Sequence, residues 1–226
     1  MKISYLITCH NETTTLNNLL SRIDGFIGDN NDEVIIVTDN PTKETSDILY
    51  NWTSVANRIC CFEHNLDRNY SEHKNWGALK CSGDYIFQID GDELPTEMLL
   101  ENFKDILKLN ADIEAFWIPR INDFKGVNDT HAKQWGWRLT ESTTYKRPIV
   151  NWPDYQCRLF VNKPDRIKWF GRLHERIIGN TNYVYFPAEE DLALYHDKTI
   201  EKQIDTNLRY NKEFTIEENK GFNLPK

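Results

Sequence analysis

Residues 90–93 read Asp-Gly-Asp-Glu and follow the apolar run of residues 85–89. Side chains two apart on an extended chain point the same way. Asp90 and Asp92 can therefore present their carboxylates together, and Gly91 lets the backbone fold closely between them. Paired hard oxygen ligands suit Mg²⁺ or Mn²⁺, which take one or two carboxylates and complete their shell with substrate oxygens. A solvated polar turn after a strand accounts for the same spacing equally well. Two other polar loops begin where an apolar run ends, at residues 8–12 and 38–42. Further along lie an adjacent His174 and Glu175, flanked by Arg172 and Arg176, and a lone His196 after another apolar run.

These residues need a frame. Apolar, β-branched runs at residues 3–9, 33–39, 58–62 and 84–89 predict strands. Between and after them, Leu16, Leu19, Leu20 and Ile23, then residues 43–52 and 71–81, then Leu99, Phe103, Ile106 and Leu107, predict helices. Such alternation predicts an α/β fold with a mostly parallel central sheet flanked by helices, in which ligands bind beyond the carboxyl ends of the strands. All three polar loops fall there. Residues 122–152 read as irregular and rich in aromatics. A strand resumes at residues 156–161, and Ile200, Ile204 and Leu208 predict a last amphipathic helix before a polar tail. The expected organisation is one domain over residues 1–226, in which residues 111–226 elaborate the binding site of residues 1–110; a small second domain is the alternative.

Composition narrows the partners. Against 35 Asp and Glu there are 27 Lys and Arg, a formal charge of -8, which disfavours a general nucleic-acid binder. Five cysteines without C-x-x-C spacing indicate neither a disulfide framework nor a zinc ribbon, so buried thiols are expected. The first residues are too briefly apolar for a signal peptide, and no run reaches the length of a membrane span. A soluble, cytoplasmic protein is expected, meeting any lipid-linked partner at a membrane surface. No P-loop or G-x-G-x-x-G appears, and Ile178 stands where H-E-x-x-H would need its second histidine.

The segments ISYLITCHNE, EVIIVTDNPTKET, KNWGALKCSGDYIFQIDGDE and RLFVNKPDRIKWFGRLHERIIG occur in an order that resembles family 2 glycosyltransferases with a GT-A fold. The resemblance is nearest to bacterial hexosyltransferases of the lipopolysaccharide inner core. It implies a Rossmann-like nucleotide-sugar-binding fold and metal-dependent, inverting transfer of a hexose from a UDP-hexose donor to a saccharide or glycolipid acceptor. It also implies that Thr8 and Asp39 contact the nucleotide, with Thr38 standing where the family has an aspartate, and that Lys74 reaches toward the diphosphate. Asp90 would serve nucleotide and metal, Asp92 and a late His196 the Mn²⁺ or Mg²⁺ ion, and Glu93 would order the turn or contact the ion through water. Glu175 is the expected base, with His174 orienting it or binding the metal; a surface ion pair with Arg172 or Arg176 is the competing reading of that glutamate. Residues 1–110 would then be the nucleotide-binding half and residues 111–226 the acceptor and catalytic half. Arg158 and Arg172 would meet the diphosphate or an anionic acceptor. Of Trp135, Trp137, Trp152, Tyr155 and Trp169, one or two are expected at the acceptor cleft. The alternatives are a D-x-D phosphatase or phosphotransferase, which the position of the motif and Leu94 disfavour, and a non-catalytic nucleotide-sugar-binding protein.

Overall fold

A computed structural model describes residues 1–27 and 31–219. The first half runs β1 (Ile3–Cys9), α1 (Thr14–Ile27), β2 (Glu33–Thr38), α2 (Lys43–Val55), β3 (Ile59–Glu63), α3 (Tyr70–Ala78) and β4 (Tyr85–Asp90). Strands β1 and β2 are apolar almost without alternation because helices cover both faces of the sheet. Helix α1 buries Leu16, Leu19, Leu20, Ile23 and Ile27, the face its 3.6-residue spacing selects. Thr42 caps α2 and Asn69 caps α3, each side chain accepting from a first-turn backbone N–H.

The chain continues with β5 (Glu93–Pro95), α4 (Glu97–Leu109), β6 (Ala115–Ile118), β7 (Arg120–Lys125), α5 (Asp129–Trp135), β8 (Leu139–Glu141) and β9 (Pro148–Val150). Then come β10 (Gln156–Val161), β11 (Lys168–Phe170), β12 (Arg176–Ile178), β13 (Tyr183–Tyr185), β14 (Leu194–Thr199), α6 (Ile200–Glu213) and α7 (Ile216–Asn219). Seven strands form the main sheet in the order β13-β6-β10-β4-β1-β2-β3. The chain steps outward from β1 through β2 to β3, then returns to place β4 on the other side of β1, all in parallel. This reversal of strand order opens a crevice at the carboxyl ends of β1 and β4.

The sheet is mostly parallel, as expected, and is mixed through one strand: β10 runs antiparallel to both its neighbours, β4 and β6. Residues 122–152 are more regular than expected. They carry most of β7, α5, β8 and β9, and those strands join β5 and β14 in a second sheet ordered β5-β14-β7-β9-β8. Short strands paired far apart in sequence leave little local periodicity to read. The last helix differs too: α6 buries Ile200, while Leu208 is 63% exposed. Residues 220–226 of the expected polar tail lie outside the described residues. Of the five thiols, Cys9 is buried, Cys60 is exposed and the other three are half-buried. No helix among the described residues is long and apolar enough to cross a membrane.

Candidate active site

The carboxyl ends of β1, β2 and β4 form the floor of an open cleft of about 1390 Å³, lined by Thr8, Asp39, Lys74, Asp90, Asp92 and, from the second half, Glu175 and His196. That volume exceeds the usual range for one small ligand and leaves room for two. Gly91 makes the close floor possible. Its N–H donates to the Thr8 carbonyl at 2.8 Å, and a Cβ there would lie 2.9 Å from that of Cys9.

Beneath the floor the charges interlock. The Thr8 hydroxyl and the Gln88 amide donate to Asp90 Oδ1 at 2.9 and 2.8 Å, and Lys74 Nζ lies 3.1 Å from the same oxygen. Arg158 Nη2 lies 2.5 Å from both Asp90 Oδ2 and Glu93 Oε1. Burial alone would raise the Asp90 carboxyl, but Arg158 and Lys74 hold it well below the ordinary range. Glu93 is fully buried, takes a second ion pair from Arg120, and accepts from the Asp90 backbone N–H at 3.1 Å, which orders the turn. Lys74 reaches onward to Glu175 Oε1 at 2.6 Å. Burial opposes its positive charge, yet Asp90 and Glu175 together hold its ammonium above its usual range. With both Asp90 oxygens so engaged, that carboxylate is poorly placed to act as a nucleophile. Burial pushes the Cys9 and Cys157 thiols up to about 12, so neither cleft cysteine supplies a thiolate.

Asp92 faces His196, with Oδ2 and Nε2 3.4 Å apart. The register of β14 makes this meeting: His196 sits opposite Glu93 on β5 and beside Asn122 on β7. The Asn122 amide nitrogen donates to Asp154 Oδ2 and to the Val150 carbonyl, which turns its carbonyl oxygen toward His196 Nδ1 at 2.9 Å. That arrangement assigns the proton to Nδ1 and aims the Nε2 lone pair at a carboxylate, so a proton or a cation belongs between them. Burial would raise the Asp92 carboxyl, but the hydrogen bond and charge of His196 hold it below its ordinary value. No group of three or more His, Cys, Asp or Glu side chains poised for an ion occurs among the described residues. The pair fits an open site all the same. Two ligands at right angles about 2.1 Å from an ion stand roughly 3 Å apart, and Mg²⁺ or Mn²⁺ takes its remaining oxygens from substrate.

The expected site residues divide into groups. Thr8, Asp39, Lys74, Asp90, Asp92, Arg158, His174, Glu175 and His196 line one cleft. The side chains of Thr8, Lys74, Asp90 and Arg158 are committed to one another or to neighbouring groups. Lys74 is therefore a link between carboxylates, not an ammonium extended toward a ligand. Asp39 Oδ1 accepts from the Leu66 N–H at 3.0 Å. His174 has a left-handed backbone (φ 53°) at the cleft rim. Glu93 lies below the floor. Arg172 pairs with Glu218 at 3.0 Å, and Trp152 packs in the satellite cluster of Ile121, Ile149 and Ala193, so neither joins the cleft as expected. Of the expected aromatics, Trp137, Tyr155 and Trp169 line the cleft, joined by Trp117.

A basic wall escaped the sequence reading. Lys198 precedes α6, and Lys202, Thr206 and Arg209 project from one face of that helix into the cleft. Burial and the nearby charges of Lys202, Arg120 and Arg209 push the Lys198 ammonium down, against the pull of Asp92. The signal was the spacing of Lys202, Thr206 and Arg209, which the apolar spacing of Ile200, Ile204 and Leu208 masked.

The family model for Glycosyl transferase family 2 matches residues 4–169. Over 113 residues, 48% of this chain, the sequence is 26% identical to the poly-beta-1,6-N-acetyl-D-glucosamine synthase of Staphylococcus aureus. The chain covers 27% of that relative's length. The structure of S. aureus TarS 1-349 in complex with UDP-GlcNAc matches 88% of this chain and 59% of that one, with a TM-score of 0.59 and 14% identity. A longer TarS structure matches 95% of this chain and 41% of its own length at a TM-score of 0.57. These likenesses show a shared GT-A fold.

Proposed function

Because the chain belongs to glycosyl transferase family 2, we propose that it moves a hexose from a UDP-linked donor to a saccharide or glycolipid acceptor, with inversion at the anomeric carbon. One observation carries the mechanism: a single buried lysine, Lys74, joins Asp90 on the donor side to Glu175 on the acceptor side. The acceptor hydroxyl oxygen attacks the anomeric carbon, the bond to the diphosphate breaks, and its electron pair leaves with UDP. Glu175 receives the hydroxyl proton, and Lys74 fixes the carboxylate that receives it. Asp92 and His196 would hold Mn²⁺ or Mg²⁺, which supplies neutralisation of the charge that grows on the departing diphosphate. Lys198, Lys202 and Arg209 serve the same end from α6. Residues 1–110 supply most of the donor side and residues 111–226 the base and the acceptor side.

The uridine nucleotide is favoured by the likeness to TarS, solved with UDP-GlcNAc. A saccharide acceptor agrees with the name of the staphylococcal relative, a polysaccharide synthase; the lipopolysaccharide inner core is one acceptor of this class. A lipid-linked acceptor would be met at a membrane surface by a cytoplasmic enzyme.

The test is nucleoside diphosphate release from a panel of UDP- and GDP-sugars, with and without MnCl₂. UDP release that needs the ion and is lost in Asp92→Ala is expected. Undiminished turnover in Asp92→Ala would sink the metal assignment, and inorganic phosphate released from phosphomonoesters would favour the phosphatase alternative.

A further inference from the structure

The cleft that Glu175 lines is lined also by Trp117 on β6 and by Tyr155 just before β10. From there aromatic rings run on to the outer edge of the main sheet. That edge is β13, whose parallel register sets Tyr185 beside Trp117 and Tyr183 beside Ala115. Ring centroids lie 5.9 Å apart for Trp117 and Tyr185, 4.7 Å for Tyr155 and Tyr185, and 5.7 Å for Tyr183 and Tyr185. The strip is pinned at its inner end, where the Tyr155 hydroxyl donates to the Phe186 carbonyl at 2.9 Å.

Core packing does not explain these rings. Val184, between the two tyrosines, turns inward against the main core, while Tyr183 and Tyr185 remain 52% and 53% exposed. Exposed aromatic rings grouped in one strip, continuous with a cleft, mark a surface suited to a ligand. Rigid aromatic side chains with polar tips offer large contact area at low entropic cost.

We propose that Trp117, Tyr155, Tyr185 and Tyr183 form a platform for successive sugar rings of an extended saccharide acceptor, leading from the sheet edge to Glu175. The proposal rests on the transferase reading and adds to it a preference for acceptor length. One face of a pyranose ring is a patch of C–H bonds, whose slight positive charge suits the negative face of an aromatic ring. The tyrosine hydroxyls serve sugar hydroxyls at the margins. Continuity with the cleft favours a saccharide over a second copy of the chain as the occupant.

The probes are chito-, manno- and cello-oligosaccharides, from single sugars to hexamers. Their binding is followed by calorimetry, and their use as acceptors is followed with the donor that the chain hydrolyses. Affinity for at least one series should rise with length. The double variant Tyr183→Ala/Tyr185→Ala should bind its longer members about tenfold more weakly and raise their KM accordingly, with donor hydrolysis unchanged. Tyr183→Phe/Tyr185→Phe, which keeps the ring faces, should restore most of the binding. No binding of any series by the unmodified chain, binding independent of length, or a double variant indistinguishable from it would each overturn the platform. So would loss of a dimer in the double variant with no change in oligosaccharide binding. Absence of donor hydrolysis in the unmodified chain would count against the transferase reading alone, since calorimetry needs no turnover.

Discussion

Lys74 is 4% exposed, yet it carries a charge that two carboxylates divide. A buried ammonium is tolerable because both partners lie within ion-pair distance, and removing it would take the ion pair from Glu175 and leave Asp90 to Arg158 alone. Lys74→Met should therefore cost about 3–5 kcal/mol of stability, read from urea denaturation. Glu175→Gln tests the chemistry at the same link. As the proposed base, it should lower kcat for transfer by about 10²–10⁴-fold while leaving the donor KM within a few-fold. An equal loss of donor affinity would instead assign Glu175 to binding. Glu33 gives a pH-dependent case away from the cleft. Burial would raise its carboxyl, but hydrogen bonds from Ser4, Ser82 and Lys2 outweigh it and lower the value. A folded value below the unfolded one means that the stabilisation is complete above the unfolded glutamate value, about 4.3. It is lost as pH falls through the depressed folded value. The stability difference between the unmodified chain and Glu33→Gln should thus be full at neutral pH and shrink in acid.

At the scale of elements, the site is assembled by strand ends and by one tight loop crossing. Gly91→Ala would drive a methyl against Cys9 Cβ at 2.9 Å. Since that atom is anchored to the β1 backbone, the expected result is a separation of the two loops, a fall in thermal midpoint and weaker donor binding, measurable by calorimetry. The same scale explains what could be read from the sequence. Thr8, Asp39 and Asp90 were legible because each ends a long apolar parallel strand, and the rule for ligands at strand ends does not depend on register. The pairing of Asp92 with His196 was only half legible. Both residue types announce themselves, but their meeting depends on β14 lying between β5 and β7 in a sheet of short strands. Arg172 and Trp152 were misplaced because an arginine or a tryptophan carries no local mark of the partner that captures it, here Glu218 and the Ile121 cluster. The apolar residues of α6 predict the helix, whereas its basic face is the one that lines the cleft.

Across the whole molecule, the crevice lies where the strand order reverses, and the antiparallel β10 threads between β4 and β6. That strand delivers Arg158, buried against Asp90 and Glu93. The α/β alternation made the first half's topology readable, whereas nothing local told that a later strand would enter the same sheet against the prevailing direction. Arg158→Met should accordingly cost about 3–5 kcal/mol, seen as a lower denaturation midpoint with an unchanged slope. The insertion also has a meaning in time. As the chain leaves the ribosome, Asp90 and Glu93 emerge 68 and 65 residues ahead of the guanidinium that will neutralise them. Until then Asp90 has Lys74 and Glu93 has Arg120 as the ion-pair partners already made, and the sheet stays open along one side of β4. A chain ending at residue 118 should remain exchange-labile at the β4 amides on the side of β10 when probed by amide hydrogen exchange, so that the proposed donor site would mature only after β10 has been made.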